Sequence, residues 1–296
     1  MSIEVAKAIG FETEEVKALC TDRDAILYSL GIGYSSDPMN AEELTYSYEL
    51  HEDFKVFPTY TTCLHRTDIF KALTSCPGIP NFNPMMLLHG EQRIQVLRPL
   101  KTGVEYVTKG KIANVSDKGK GALIQFDLLS SEIDAQGKKT LAFVNTLSLF
   151  IRGLGGFGHK GNPVENIPAI PKRPPCKEVK QVTTPNQAII YRLSGDINPL
   201  HIDPNMAALG GFDKPILHGL CTYGICAKAA IQTFTQGNGD ALKNMAARFT
   251  SHVFPGETLL ISLWKEGTRV QFSARTQERG LEVIVGILEF NEKAKL

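Results

Sequence analysis

A dense run of glycine and proline divides the chain near its middle. Between residues 153 and 178, five glycines precede five prolines, namely Gly153, Gly155, Gly156, Gly158 and Gly161, then Pro163, Pro168, Pro171, Pro174 and Pro175. Neither a helix nor a strand can continue through so many interrupting residues. We therefore predict a semi-extended linker over 153–178. It separates a unit at 1–152 from a unit at 179–296, which agrees with the two domains expected of 296 residues.

The two halves show a similar order of predicted elements. In the first half these are a helix at 23–34 with Asp22 as its N-cap, a helix beginning at 70–74, and strands at 93–97, 106–115, 121–130 and 140–152. In the second half they are a buried helix at 215–234 and strands at 247–253, 258–265, 269–276 and 281–289. Helix followed by four antiparallel strands, twice, predicts two diverged copies of one α+β domain.

Charge and composition exclude several classes of protein. Lys+Arg number 32 and Asp+Glu number 31, so a net charge of +1 leaves no basic footprint for nucleic acid. No uncharged apolar run reaches the roughly 18 residues of a membrane span. The six cysteines are scattered. This spacing is typical of free thiols in a reducing compartment, and it matches no zinc site. We expect no metal.

Residues 191–208 carry the chemistry that the sequence suggests. Asp196, Asn198 and His201 lie within six residues of a turn that contains Gly195 and Pro199. A carboxylate beside an imidazole can hold and deprotonate a water molecule, and an amide can anchor the same water. The alternative is that Asp196 and Asn198 only begin a helix, as these residue types often do. The nearby His201 favours a site.

A second candidate element follows at the start of the long helix. His218 and Gly219 precede the apolar helical run. The first N–H groups of a helix have no partner within it, so they can stabilise a developing oxyanion. Glycine there lets a substrate carbonyl approach the backbone. An ordinary loop-to-helix glycine is the alternative.

These stretches resemble a known family. YRLSGDINPLH at 191–201 and GFDKPILHGL at 211–220 are similar to the signature of the (R)-specific 2-enoyl-CoA hydratases, called hydratase 2, among the MaoC-like dehydratases. In the first half, SYELHEDF at 47–54, LHGEQ at 88–92 and DKG at 117–119 resemble the eukaryotic members, which include the hydratase domains of peroxisomal multifunctional enzymes. The resemblance covers nearly the whole chain.

The resemblance implies a fold and a reaction. The fold is a double hot-dog, with two repeats that each wrap an antiparallel sheet around a long helix. The reaction is the reversible hydration of trans-2-enoyl-CoA to (3R)-3-hydroxyacyl-CoA, without a metal or redox cofactor. Asp196 and His201 would be the catalytic pair, Asn198 would help to hold the water, and the Gly219 N–H would bind the thioester oxygen.

The resemblance also implies residues that bind the acyl-CoA. In the first half, which lacks the catalytic motif and would accommodate the acyl chain, they are His89, Gly90 and Lys118. In the second half they are Ile197, Pro199, Leu200 and Phe249. Lys118 lies among Lys109, Lys111 and Lys120, a patch able to meet CoA phosphates. The alternatives for Lys118 and Phe249 are a solvated turn and an ordinary core residue.

The C-terminal tripeptide predicts a location. Ala294-Lys295-Leu296 is a conservative variant of the peroxisomal signal SKL, so we expect an import receptor as partner and a place in the peroxisomal matrix, acting in fatty-acid β-oxidation. The initial Met1 and this tripeptide lead us to expect an intact chain. By resemblance we expect a homodimer and no membrane or nucleic-acid partner. A hot-dog acyl-CoA thioesterase and a non-catalytic acyl-thioester binding module are the alternative functions.

Overall fold

Ten strands hydrogen-bond into one antiparallel sheet in the computed structural model, which describes residues 2–291. The strands are β1 (Val16–Cys20), β2 (Leu87–Val96), β3 (Val104–Asp117), β4 (Gly121–Ile133), β5 (Lys139–Arg152), β6 (Lys177–Val182), β7 (Leu242–Phe249), β8 (Thr258–Glu266), β9 (Arg269–Thr276) and β10 (Glu282–Phe290). The helices are α1 (Val5–Ala8), α2 (Asp22–Gly31), α3 (Thr61–Leu64), α4 (Ile69–Ser75), α5 (Gln187–Arg192), α6 (Pro204–Leu209) and α7 (Gly219–Thr235). The predicted peroxisomal signal, Ala294-Lys295-Leu296, lies outside the described residues.

The strand order contains the repeat that the sequence predicts. Across the sheet the order is β1-β3-β4-β5-β2-β7-β10-β9-β8-β6. From the outer edge of the sheet to its middle, the first half runs β1-β3-β4-β5-β2 and the second half runs β6-β8-β9-β10-β7. Both halves therefore follow the same order of their own strands: first, third, fourth, fifth, second. The halves meet where β2 pairs with β7, from Glu91 opposite Arg248 to Gln95 opposite Asn244. Two copies of one five-stranded α+β unit therefore join edge to edge.

The two halves differ most in their central helix. In the second half α7 has 17 residues and buries nearly all of its circumference. Its small side chains allow this: a Cβ on Gly224 would lie 2.8 Å from the Tyr28 hydroxyl and 2.6 Å from Ile32. In the first half α4, with seven residues, packs Ala72 and Leu73 against the sheet. The expectation of a long helix in each repeat is thus corrected for the first half.

The glycine- and proline-rich segment crosses the sheet between the halves. No helix or strand lies between Arg152 and Lys177. Along its path Asn162 bonds Asn114 of β3, Glu165 pairs with Arg93 of β2, and the Ala169 carbonyl accepts from Gln271 of β9. The Arg173 carbonyl then accepts from the Trp264 indole of β8. Side-chain bonds to four strands therefore tie this segment to the sheet.

Several predicted boundaries are wrong for physical reasons. Thr21, not Asp22, caps α2, because its hydroxyl accepts from the Asp24 N–H. The short edge strands β1 and β6 mix charged and apolar residues and were not predicted; β6 begins at Lys177, inside the expected linker. The strand expected at 247–253 is Leu242–Phe249.

The start of α7 matters most for the site. The helix was expected from Pro215 but begins at Gly219, since Leu217 N–H bonds the Val253 carbonyl and holds the preceding residues extended. His218 and Gly219 therefore stand at the N-terminus of the central helix, where an oxyanion donor was expected.

A buried ion pair ties the segment after α2 to the central helix. Lys228 Nζ lies 2.8 Å from Glu43 Oε1, with the two side chains 5% and 7% exposed. Lys228 also donates to the Gly33 carbonyl and lies 4.4 Å from the centre of the Tyr34 ring. Glu43 accepts from the Ser35 N–H. The two charges of this buried pair thus satisfy each other, and each also has a further hydrogen-bond partner.

In the range 2–291, no helix is long and apolar enough to cross a membrane.

Candidate active site

The loop between α5 and α6 carries the motif that the sequence singles out. Asn198 Oδ1 accepts from the Leu200 N–H at 3.1 Å and caps a single turn of 3-10 helix at Pro199–His201. Asp196 Oδ1 lies 3.4 Å from the Asn198 N–H. The helix-capping alternative is therefore true of the Asn198 oxygen, whereas its exposed Nδ2 donates to no described residue.

His201 is held in one tautomer. Its Nδ1 lies 2.9 Å from the Ile216 carbonyl. Because a carbonyl oxygen only accepts, Nδ1 carries the hydrogen and Nε2 keeps its lone pair. Burial lowers the pKa of His201, against the opposing field of the Asp196 carboxylate. His201 is thus a neutral imidazole at pH 7, with a free basic nitrogen beside a carboxylate.

His218 completes the cluster. Its ring stacks on that of His201 with centroids 3.9 Å apart and a 29° angle between the planes. Its Nε2 donates to the Asp196 carbonyl at 3.1 Å, which leaves Nδ1 without its hydrogen and, among the described residues, without a partner. Burial lowers the pKa of this fully buried histidine to about 3. The motif suggested a role for Gly219 only; His218 joins the site through the position at which α7 begins.

The cluster contains residue types that bind metal ions. One possible ligand atom of each of Asp196, His201 and His218 lies within 4.8 Å of the others. An ion bonded to both imidazoles would lie in both ring planes, about 2.1 Å from each nitrogen. Two rings stacked at this spacing and tilt offer no such point. The arrangement suits hydrogen bonding and proton transfer rather than a shared ion.

The helix N-terminus faces an aromatic ring. The N–H groups of Gly219 and Leu220 have no acceptor among the described residues. A Cβ on Gly219 would meet the Phe249 ring at 3.1 Å, so only glycine leaves this approach open. Phe249 is half-buried and packs edge-on against His89, with ring centroids 5.4 Å apart. The structure thus brings predicted residues from both halves together beside a free N–H.

The first half contributes further polar groups. Burial lowers the pKa of His65 and of His89 to about 4, and in both the Asp196 carboxylate opposes that shift. The Thr67 N–H donates to His65 Nδ1, so the neutral ring of His65 carries its hydrogen on Nε2. Arg66 has a left-handed φ of 51°, and its guanidinium would lie 2.7 Å from a Cβ on Gly195. No motif signalled His65 or Arg66.

The remaining predicted binding residues lie around this cluster or apart from it. Gly90 is half-buried at a β-bulge directly after His89. Ile197 and Pro199 are exposed, and Leu200 is half-buried against Gly210. Lys118 is exposed in the β3–β4 turn, at the same end of the sheet as His89 but three strands away.

Two of the four lysines in the expected basic patch around Lys118 share an acidic partner. Lys109 and Lys111 both form ion pairs with Glu12, at 2.5 and 3.9 Å. Lys118 and Lys120 are exposed in the turn. The single Glu12 carboxylate therefore offsets part of the positive charge of these two strand lysines.

Fold and site together define a MaoC-like dehydratase with a double hot-dog fold, and comparison with known proteins agrees. A MaoC-like domain model matches residues 166–287, and a model of the N-terminal domain of MFE-2 hydratase 2 matches residues 19–153. The chain therefore belongs to the hydratase 2 family of MaoC-like hydro-lyases.

Full-length relatives support the same assignment. The chain is 39% identical to the probable enoyl-CoA hydratase 2 of Dictyostelium discoideum, with 100% of each chain covered, and 37% identical to the peroxisomal enoyl-CoA hydratase 2 of Arabidopsis thaliana, with 95% of this chain and 93% of the relative covered. The crystal structure of a MaoC-like dehydratase from Phytophthora capsici matches with a TM-score of 0.87, 36% identity and 99% of each chain covered. The predicted fold class, family and peroxisomal location are thereby confirmed.

Proposed function

We propose that this protein hydrates trans-2-enoyl-CoA reversibly to (3R)-3-hydroxyacyl-CoA in peroxisomal fatty-acid β-oxidation. One observation carries the proposal: the free Nε2 of a neutral His201 lies with Asp196 in the same cluster, which stands at the N-terminus of α7, where the Gly219 N–H has no acceptor among the described residues. Hydration of a conjugated thioester requires two parts: a pair of groups that can take a proton from water, and a hydrogen-bond donor that stabilises the oxyanion.

The Gly219 N–H would polarise the substrate. When it donates to the thioester oxygen, electron density leaves C3 and an enolate becomes stable. The positive end of the α7 dipole adds to this effect, because the first N–H groups of a helix point along its axis. No covalent intermediate is needed, so a nucleophilic side chain is not required.

Asp196 and His201 would then handle the water. The water oxygen bonds to C3, the C2–C3 π electrons shift towards C2 and the enolate oxygen, and one water proton passes to the Asp196–His201 pair. That proton returns to C2 as the enolate collapses, so the atoms and charge balance. The exposed Nδ2 of Asn198 would donate to the same water while Oδ1 caps the turn.

Hydration of crotonyl-CoA and decenoyl-CoA by the purified protein tests this function. We expect loss of the conjugated enoyl absorbance, an (R) product on chiral analysis, and equal rates after treatment with EDTA, since we propose a cofactor-independent reaction. An (S) product would contradict the assignment. Release of free CoA thiol would favour a thioesterase, and binding without any change in absorbance would favour a binding module.

Gly219→Ala tests the role of the helix N-terminus. The added methyl group would lie 3.1 Å from Phe249, where it blocks the approach of the thioester oxygen. We expect kcat for crotonyl-CoA to fall by about a hundredfold with little change in Tm. Combining it with Phe249→Leu gives the methyl group room without reopening the N–H, so any small loss of Tm should be recovered while kcat stays low. A fully active Gly219→Ala enzyme would remove Gly219 from the mechanism.

The import receptor and the homodimer that the sequence predicts stay predictions.

A further inference from the structure

His218 is buried, uncharged and unused by the reaction described above. His218 is 0% exposed, and its Nδ1 has no hydrogen-bond partner among the described residues. A buried imidazole that keeps an unpaired nitrogen costs free energy, which a phenylalanine at the same position would avoid. This cost points to a role for the ring that an apolar side chain cannot supply.

One role lies in the Nε2 bond to the catalytic loop. Nε2 donates to the main-chain carbonyl of Asp196 itself, across 22 positions of sequence. Gly195, which precedes Asp196, has a φ of +132°, so the loop there is not held by regular structure. The bond therefore ties the carboxylate-bearing residue to the N-terminus of the central helix.

The other role lies in the stack on His201. The centroids of the two rings lie 3.9 Å apart, and among the described residues the His201 ring makes one hydrogen bond, from Nδ1 to the Ile216 carbonyl. The charged and titratable groups facing His218 are Asp196, His201, Arg192 and Tyr191. Burial and the fields of His201 and Arg192 disfavour a charge on His218. The ring thus covers one face of His201 without competing for its proton.

We propose that His218 is a positioning residue: Nε2 fixes the main chain of Asp196, and the stacked ring fixes the plane of His201 and shields it from water. The inference rests on the proposed hydratase function. Both members of the catalytic pair are then oriented by one side chain at the residue before the oxyanion donor.

Two variants separate the two contacts. His218→Gln keeps an amide donor near the position of Nε2 but removes the ring. His218→Phe keeps the ring but removes the donor. His159→Gln and His159→Phe, in the exposed linker, are the matched controls. The readouts are kcat and KM for crotonyl-CoA, the acid limb of the pH profile, and Tm.

We expect His218→Phe to lower kcat by about 10- to 100-fold with KM within twofold, because Asp196 is misplaced while binding is unchanged. His218→Gln should keep most of kcat, but its acid limb should move upward towards pH 6.5, the ordinary pKa of histidine, because His201 loses its cover. The proposal would be overturned by a wild-type kcat in His218→Phe or by an unshifted acid limb in His218→Gln. It would also be overturned if both variants lowered Tm and changed neither kcat nor the pH profile.

Nitrogen NMR of the wild-type protein adds a test that needs no variant and no activity. The His218 ring should stay neutral between pH 5 and 9 with its hydrogen on Nε2. A hydrogen on Nδ1, or protonation in this range, would contradict the proposal. If the wild-type protein does not hydrate enoyl-CoA, the proposed function fails; if it hydrates and the variants behave as the controls do, only the role of His218 fails.

Discussion

Asp196→Asn is expected to lower kcat for enoyl-CoA hydration by about a thousandfold, within the range of a lost general base. The amide keeps the shape of the side chain, and the Asn198 N–H, 3.4 Å away, still meets an oxygen. It cannot take a proton from water, however, so His201 is left without its partner. Steady-state kinetics and circular dichroism should show a folded, inactive protein.

Asp203→Asn is the matched control for this variant. Asp203 lies in the same loop, seven positions further on, and caps α6 through a bond from the Asn205 N–H at 2.8 Å. Asparagine caps helices as well as aspartate does, so kcat should stay near the wild-type value. If Asp196→Asn and Asp203→Asn were equally active, Asp196 would not be the base.

Lys228→Met is expected to destabilise the fold by about 3–5 kcal/mol, the usual cost of leaving one buried charge unpaired. Glu43 would keep its bonds from Ser35 and Gln232 but lose its counter-charge, with its side chain only 7% exposed. Urea unfolding would give the change in the free energy of unfolding. The double variant Lys228→Met with Glu43→Gln should recover most of the lost free energy of unfolding, because the amide of glutamine carries no charge that needs a partner.

Lys55→Met provides the control for the ion pair. Lys55 Nζ lies 2.8 Å from Asp240, the same distance as in the buried pair, but these side chains are 34% and 35% exposed. Water stabilises both charges there, so the loss should be at most about 1 kcal/mol. Equal losses for Lys55→Met and Lys228→Met would mean that burial of the Lys228 pair does not matter.

The repeat was predictable because both of its signals are local. The glycines and prolines at 153–178 interrupt any periodic pattern of apolar residues. The strands of each half are rich in apolar residues and are separated by clear turns. The edge strands β1 and β6 were not predicted, because each exposes charged side chains. They are stabilised by pairing with β3 and β8, and no local sequence pattern reveals that pairing. The short α4 shows that a repeated order of elements does not require helices of equal length.

The candidate site was predictable only in part. Asp196, His201 and Gly219 lie in two compact motifs, and a family resemblance gives them roles. His218, His65 and Arg66 carry no such signal, because their contacts with the catalytic loop join residues far apart in sequence. The role of Lys118 stays a prediction, because local spacing alone suggested the lysine patch; the tertiary structure adds that Glu12, from another segment, pairs with Lys109 and Lys111.

The sequence by itself determined the two α+β repeats, the segment that separates them, the family and the residues of the motif. These follow from local spacing, which the chain carries whatever its fold. Only the tertiary structure decided which nitrogen of His201 is free, because the Ile216 carbonyl sets the tautomer. It also placed His218 on that ring, because the bond from the Leu217 N–H to the Val253 carbonyl keeps the preceding residues extended until α7 begins. Hydrogen bonds between segments that are distant in sequence decide which atoms carry the protons, and the residue types alone do not predict these bonds.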